Sequence, residues 1–332
     1  MLQNTNETAV IEKDTRVPSE KLTHLRKKLN DLHTALETVI KGKSEVITLL
    51  LTALGADGNI LMEDVPGVGK TTLAKALAAS IEGKFSRIQF TPDLLPSDIL
   101  GNSIYNPQEG KFFFRPGPVF ANILVADEIN RASPRTQSAL LECMSERQVS
   151  LEGKTNQLPS PFMVIATENP IEYQGTYPLP EAQLDRFAMQ LELGYPNADF
   201  ELEIMFDRKE SDPIEKITTV MHCSDVAELQ QAVRGVDVER SIGHYMLNLI
   251  HATRTDSRVT LGASPRALLL LSRCAQAYAF FAGRDYVLPD DVKVLASKVL
   301  AHRLVIDNKA RYSGITAAEV ISEIVDRTKV PV

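Results

Sequence analysis

Leu22, Leu25, Leu29, Leu32 and Leu36 recur at helical spacing, which predicts a helix from near Ser19 to Val39. The polar residues before it, 1 to about 18, end near Pro18 and are expected to form a tail. Ile40-Lys-Gly-Lys43 breaks the helix, and the pattern resumes from Val46 to Leu54. Five short β-rich segments then alternate with helical stretches: Asn59–Met62, Arg87–Phe90, Ile123–Ala126, Met163–Ala166 and Met189–Leu193. That alternation predicts an α/β fold with a mostly parallel five-stranded sheet between helices. Two stretches interrupt it. Leu94 to Phe120 carries turn signals at Asn106-Pro107, Glu109-Gly110 and Pro116-Gly-Pro118, and reads as an insertion with a hairpin around Gly110. A strand here puts Phe112 and Phe114 on one face and Phe113 on the other. One face is expected to pack on the domain, with an aromatic contact to a partner as the alternative. A second hairpin is predicted over Gln148–Phe162, turning at Glu152-Gly153-Lys154.

After about Gly194 strand signals thin out. Asp199–Lys209, Val226–Val233, Val238–Arg254, Pro265–Phe281, Pro289–Leu304 and Thr316–Thr328 read as helices, and Ser264-Pro265 supplies a capping hydroxyl with proline at the first helical position. The predicted organisation is a tail (1–18), an α/β core (19–194) and a small all-helical domain (195–332). No internal repeat or low-complexity tract is apparent.

With 332 residues the chain is long enough for two domains with a real core. Its 36 basic and 43 acidic residues give a net charge of −7, which argues against nucleic acid as the main partner. Cys143, Cys223 and Cys274 lie far apart without metal-ligand spacing, as expected of a reduced, cytosolic set. The polar start lacks the pattern of a signal peptide. The most apolar later segment, Ala267 to Phe281, contains Arg273 and Gln276 and is too short to span a bilayer. A cytoplasmic protein without direct membrane insertion is the expectation.

The chemistry is concentrated in Met62-Glu-Asp-Val-Pro-Gly-Val-Gly-Lys-Thr-Thr72, between the first strand and the helix-forming run Thr72–Ala79. A strand, a glycine-bearing turn and a helix are the setting of a phosphate-binding loop. Gly67 and Gly69 allow turns closed to residues with a Cβ, and the turn's amides converge on an anion at the helix N-terminus. Lys70 is placed to reach the β- and γ-phosphates, and the Thr71 hydroxyl to hold Mg²⁺. Asp64 stands where the general pattern has glycine, and its carboxylate must point away from phosphate for the loop to work. Ile123-Leu-Val-Ala-Asp-Glu128 is an apolar strand ending in two carboxylates. Asp127 falls at the sheet edge where Mg²⁺ on a nucleotide would sit, and Glu128 where it could deprotonate an attacking water. The fourth strand ends at Asn169, a candidate hydrogen-bond partner for the γ-phosphate or the water. With no Asn-Lys-x-Asp guanine-reading motif, ATP is preferred over GTP.

Together these residues resemble the AAA+ ATPases, and the MoxR-like family in particular. The resemblance is carried by Glu63-Asp-Val-Pro-Gly-Val-Gly-Lys-Thr71, Phe114-Arg-Pro-Gly-Pro-Val-Phe120 and Ala126-Asp-Glu-Ile-Asn-Arg-Ala-Ser-Pro-Arg135. Gln137-Ser-Ala-Leu-Leu-Glu142, the stretch Thr167 to Phe187 and Gly262-Ala-Ser-Pro-Arg-Ala267 extend it, so that it covers nearly everything from about Lys21 onward. It implies a nucleotide-binding core followed by a helical lid, with Mg-ATP held by Asp64, Val65, Pro66, Gly67, Val68, Gly69, Lys70, Thr71, Thr72 and Asp127. Ile40 belongs to the segment leading to the adenine pocket, where Lys43 replaces the family's usual Gln. Thr71 and Asp127 become the metal-facing groups, Glu128 the catalytic carboxylate and Asn169 the sensor-1 group. Arg186 becomes an arginine finger inserted into a neighbour's site, with Arg131 a rival for that role, and Arg266 the sensor-2 arginine. The resemblance further implies a homo-oligomeric ring, expected to be a hexamer, acting as a chaperone on a client protein, with a von Willebrand A-type domain among the client types it implies. A nucleic-acid motor, a nucleotide-dependent scaffold and a magnesium-chelatase-like subunit are the alternatives.

Overall fold

The computed structural model describes residues 19–65, 67–151, 153–168, 176–207 and 213–331. Pro66 and Asn169, both expected at the nucleotide, lie outside the described residues.

Helix α1 (Ser19–Val39) buries the leucine stripe read from the sequence, with Leu25, Leu29, Leu32 and Leu36 each no more than 3% exposed. After the break come α2 (Ser44–Gly55), β1 (Ile60–Glu63) and α3 (Lys70–Ser80). Helix α3 starts two residues before the apolar run, because Gly69 (φ +104°) turns the chain directly into it. Next are β2 (Phe85–Gln89), a short α4 (Pro96–Leu100), the hairpin β3 (Gly101–Asn106) and β4 (Lys111–Pro116), and β5 (Ile123–Asp127). Helix α5 (Pro134–Glu146), the hairpin β6 (Gln148–Leu151) and β7 (Lys154–Gln157), β8 (Met163–Glu168), α6 (Glu181–Leu184) and β9 (Met189–Leu191) complete this half.

The five-stranded sheet has the order β2-β5-β8-β1-β9, and every pairing in it is parallel. All five residues of β5 are buried, as a central strand covered on both faces requires. Strand alternation sorts side chains into two cores. Ile60, Met62, Ile123, Val125 and Ile165 face α1, α2 and α3, whereas Leu61, Leu124, Ala126, Val164 and Ala166 face α4 and α5. By the same parity Arg87, Gln89, Asp127 and Thr167 belong to the α3 face of the sheet's C-terminal edge, and Glu63 and Glu168 to the opposite face.

The hairpins form where the turn signals lie. The first departs from expectation in its packing. Phe114 meets Phe120 edge-on at 5.4 Å, whereas Phe112 packs across the strands on Tyr105 at 5.2 Å. Phe112 is 67% and Phe113 44% exposed, so both faces of the tip stand open rather than one packing on the domain. At its base Gly101 and Gly117 let two backbone segments cross, where a Cβ on either would lie 2.3 Å from a carbonyl oxygen.

The second half is helical: α7 (Ala198–Asp207), α8 (Cys223–Arg234), α9 (Arg240–Thr255), α10 (Pro265–Phe281), α11 (Pro289–Leu300), α12 (Asn308–Tyr312) and α13 (Ala317–Arg327). Helix α11 stops short of the predicted Leu304, giving way to a 3-10 turn over Ala301–Arg303. A strand pair that the sequence reading lacked, β10 (Val259–Leu261) with β11 (Val305–Ile306), braces these helices. The helical half shares one apolar core with the α3 face of the sheet, and Gln230 of α8 donates to the Leu54 carbonyl of α2 at 2.9 Å.

Candidate functional site

Strands β1, β5 and β8 deliver their C-terminal residues to one cleft of about 270 Å³, lined by Gly67, Gly69, Lys70, Thr71, Asp127 and Glu128 among others. A second space of about 310 Å³ shares Gly67, Gly69 and Thr72 with it and continues to Ile40, Lys43, Val68 and Ile204. The first is polar and sits at a helix N-terminus, as phosphates require; the second has the apolar walls that suit a base. Lys43 stands at the edge of the second space, where its ammonium donates to the Tyr195 carbonyl at 2.7 Å.

Asp64 is 7% exposed, and its carboxylate accepts the backbone N–H of Leu193 and, at 3.1 Å, that of Gly194. The side chain is thus spent on the segment after β9, while its backbone oxygen accepts from Lys70. The Lys70 ammonium donates to the carbonyl oxygens of Asp64 (2.8 Å) and Val65 (3.3 Å). Burial lowers the Lys70 pKa, with Asp64, Asp127 and Glu128 opposing the shift. A Cβ on Gly67 (φ +88°) would meet no atom within 4 Å, so this glycine serves conformation rather than space.

Asp127 is held from two sides, by Arg87 Nε at 2.5 Å and by the Thr167 hydroxyl at 3.2 Å. Arg87 also donates to Gln89 (2.9 Å), and Gln89 Nε2 to Glu128 Oε2 (2.8 Å). Arg131 Nη1 reaches the same Glu128 oxygen at 2.8 Å. The Glu128 backbone is left-handed (φ +55°), an uncommon state for a non-glycine residue, and its N–H donates to Thr167 Oγ1 at 2.9 Å. A carboxylate held by two side-chain donors at the mouth of a phosphate-sized cleft can take a proton from water. Thr71, Asp127 and the loop form an oxygen-donor and amide set that fits Mg²⁺ and phosphate. Arg87, Gln89 and Thr167 were missed at the sequence level. The available signal was parity, since polar residues alternating with Ile88 in β2 must share the face of Asp127.

In-register Glu63 and Glu168 crowd each other at the ends of β1 and β8, and Glu168 also lines the cleft. Burial, then Glu63, pushes the Glu168 carboxyl up to about 7. Glu63 is also raised, by burial and then by Glu192.

The two predicted arginines do not line this cleft. Arg186 Nη1 donates to the Leu141 carbonyl (2.6 Å) and Ser145 Oγ (3.0 Å), at the C-terminal end of α5. Arg266, exposed in the first turn of α10, reaches the same Ser145 hydroxyl at 3.5 Å. Arg131 is engaged with Glu128 of its own chain instead.

The family described as "ATPase family associated with various cellular activities (AAA)" matches residues 59–189, and the "AAA lid domain" matches residues 251–324. The chain is 50% identical over 297 residues to YeaC of Bacillus subtilis (strain 168), covering 90% of this chain and 93% of that protein. It is 41% identical to Chaperone MoxR1 of Mycobacterium tuberculosis (strain ATCC 25618 / H37Rv), covering 89% and 80% respectively. A crystal structure of a proposed ATPase from Cytophaga hutchinsonii ATCC 33406 superposes with a TM-score of 0.88 at 40% identity, over 94% of this chain and 98% of the other. A parallel sheet with a phosphate-type loop, a helical lid and relatives of this extent lead to one conclusion: the chain belongs to the MoxR-like AAA+ ATPases.

Proposed function

We propose that the chain binds and hydrolyses Mg-ATP as one subunit of a ring, expected to be a hexamer, and spends the energy remodelling or assembling partner protein complexes. The observation that carries this reading is the separation of parts. Lys70, Thr71, Asp127 and Glu128 share one cleft, while Arg186 and Arg266 meet at Ser145 away from its lining. Arginines that serve a phosphate but are remote from their own chain's cleft serve a neighbour's. In this reading the loop amides and Lys70 hold the phosphates, and Thr71 and Asp127 hold the metal. Mg²⁺, when bound, neutralises charge on the phosphate oxygens. Ile40 and its neighbours enclose the base, Glu128 accepts the proton of the attacking water, and Asn169 orients the γ-phosphate side. An arginine finger is worth roughly 10³ to 10⁵ in rate, or about 4 to 7 kcal/mol.

The exposed Ile104, Tyr105, Phe112 and Phe113 of the first hairpin are a suitable client-facing surface, and a von Willebrand A-type domain is the client class proposed. A relative bears the name Chaperone MoxR1, which supports the chaperone reading. No described helix is long and apolar enough to cross a membrane, and a cytoplasmic location is proposed with that in mind. The test is specific ATPase activity across a dilution series: it should rise steeply with protein concentration. Activity per subunit that stays flat from dilute monomer to assembled ring would remove the role in trans.

A further inference from the structure

Arg186 and Arg266 are 80 positions apart in the chain and lie on different halves of the fold, yet they converge on one hydroxyl. The cause is a half-buried junction one residue before the first and two before the second. The Asp185 carboxylate accepts the Ser264 hydroxyl at 3.0 Å to each oxygen, and Arg303 Nε at 2.9 Å. Ser264 is the N-cap of α10, accepting from the Ala267 N–H at 3.2 Å, so its oxygen both starts the helix that carries Arg266 and grips the residue that precedes Arg186. The Arg303 side chain is only 2% exposed, and it also donates to the Asp185 and Phe187 carbonyl oxygens on either side of Arg186. Half-buried His302 sits against Arg303 and the Phe187 carbonyl at the edge of the junction. A guanidinium this buried, paired with a carboxylate and with its remaining donors on backbone oxygens, has one low-energy geometry.

We propose that Asp185, Ser264 and Arg303 form a latch between core and lid that holds Arg186 and Arg266 as one rigid unit for presentation to the next subunit. They are positioning residues, since none of them touches the nucleotide cleft of its own chain. This inference rests on the reading that Arg186 acts in trans, and it adds that lid placement and arginine placement are a single variable. A lid displaced from the core would break the latch and part the two arginines, which links one subunit's lid to its neighbour's hydrolysis.

The test uses full-length chains. Asp185→Asn keeps shape and loses the charge. Because a reacting group displaced by about 1 Å costs on the order of 10² in rate, kcat should fall by about that factor. KM for ATP should stay within about twofold, since the variant's own cleft is untouched; a general folding defect would move both. Mixing then separates the latch from its premise. Subunits with Asp185→Asn keep a sound cleft, and subunits with Glu128→Gln keep sound arginines, so an equimolar mixture should hydrolyse ATP well above the sum of the two alone. A mixture of Arg186→Ala with Glu128→Gln is the control. If the control regains activity and the Asp185→Asn mixture does not, the latch is wrong and the role in trans stands. Should neither regain activity, the role in trans fails and the latch with it. If Asp185→Asn does not fold, Ser264→Ala replaces it, with a fall of about tenfold in kcat expected and Ser264→Thr restoring the rate. Wild-type kcat in Ser264→Ala, or no rescue by threonine, would overturn the proposal.

Discussion

Replacing Asp64 by glycine would bring the loop closer to the general phosphate-loop pattern, yet the structure predicts a loss of stability. The Asp64 carboxylate accepts two backbone N–H groups, from Leu193 and Gly194, and is itself 7% exposed. Hydrogen bonds to a charged group contribute about 1.5 to 3 kcal/mol each, and a buried donor left unmet costs about 1 to 3 kcal/mol. Leu193 is buried, so its amide bears the larger share, while the Gly194 amide can recruit water. Glycine adds roughly 0.5 to 1 kcal/mol of backbone entropy lost on folding. The expected cost is about 3 to 5 kcal/mol. Asp64→Asn should fall between the two, because its amide keeps one acceptor and aims an N–H₂ group at the other backbone donor. Equilibrium denaturant unfolding of the three proteins, without nucleotide and at equal concentration, measures this directly. An Asp64→Gly protein within about 1 kcal/mol of wild type would refute the reasoning, since the carboxylate would then not be what secures the end of β9 to the loop.

Two further outcomes follow from carboxylates of the cleft. Glu168 titrates near 7 in the folded protein against an ordinary value of 4.5, so the folded state keeps a proton that the unfolded chain releases. Stability should therefore fall as pH rises from about 4.5 to 7 and level off above it, by up to about 3 kcal/mol at 1.36 kcal/mol per unit. Glu63, raised as well, steepens the same slope. Glu168→Gln should flatten it in unfolding measurements at several pH values, and an unchanged slope would count against the buried-carboxylate account. Gln89→Ala removes one of the two side-chain donors on the Glu128 carboxylate. Single-turnover hydrolysis should slow by about tenfold with ATP affinity unchanged, and a wild-type rate would mean that Arg131 alone suffices to hold Glu128.

The sheet was legible because its strands are short apolar runs buried on both faces, so composition alone marked Ile123–Ala126 and Met163–Ala166. Turn chemistry located the hairpins and Ser264-Pro265 the start of α10, because local geometry decides both. Side-chain direction at the cleft was less accessible. The Asp64 carboxylate is spent on backbone amides only because β9 ends where it can cap them, a fact of tertiary register. Arg87 and Gln89 were overlooked because the face they share with Asp127 is set by the pairing of β2 with β5, which the sequence does not show. The open tip around Phe112 was misjudged because an aromatic triplet looks alike whether it packs inward or faces a partner. The meeting of Arg186 with Arg266 depends on Asp185, Ser264 and Arg303, three residues that no spacing rule connects.

At the centre of the account is a division of labour in which each chain grips ATP with its own loop and has it cut with a neighbour's arginines. Measuring ATP affinity and turnover on the same assembled Arg186→Ala sample tests that most directly. The account predicts affinity within about threefold of wild type and turnover lower by about 10³ or more. Turnover at the wild-type level, or a loss of binding as large as the loss of rate, would contradict it.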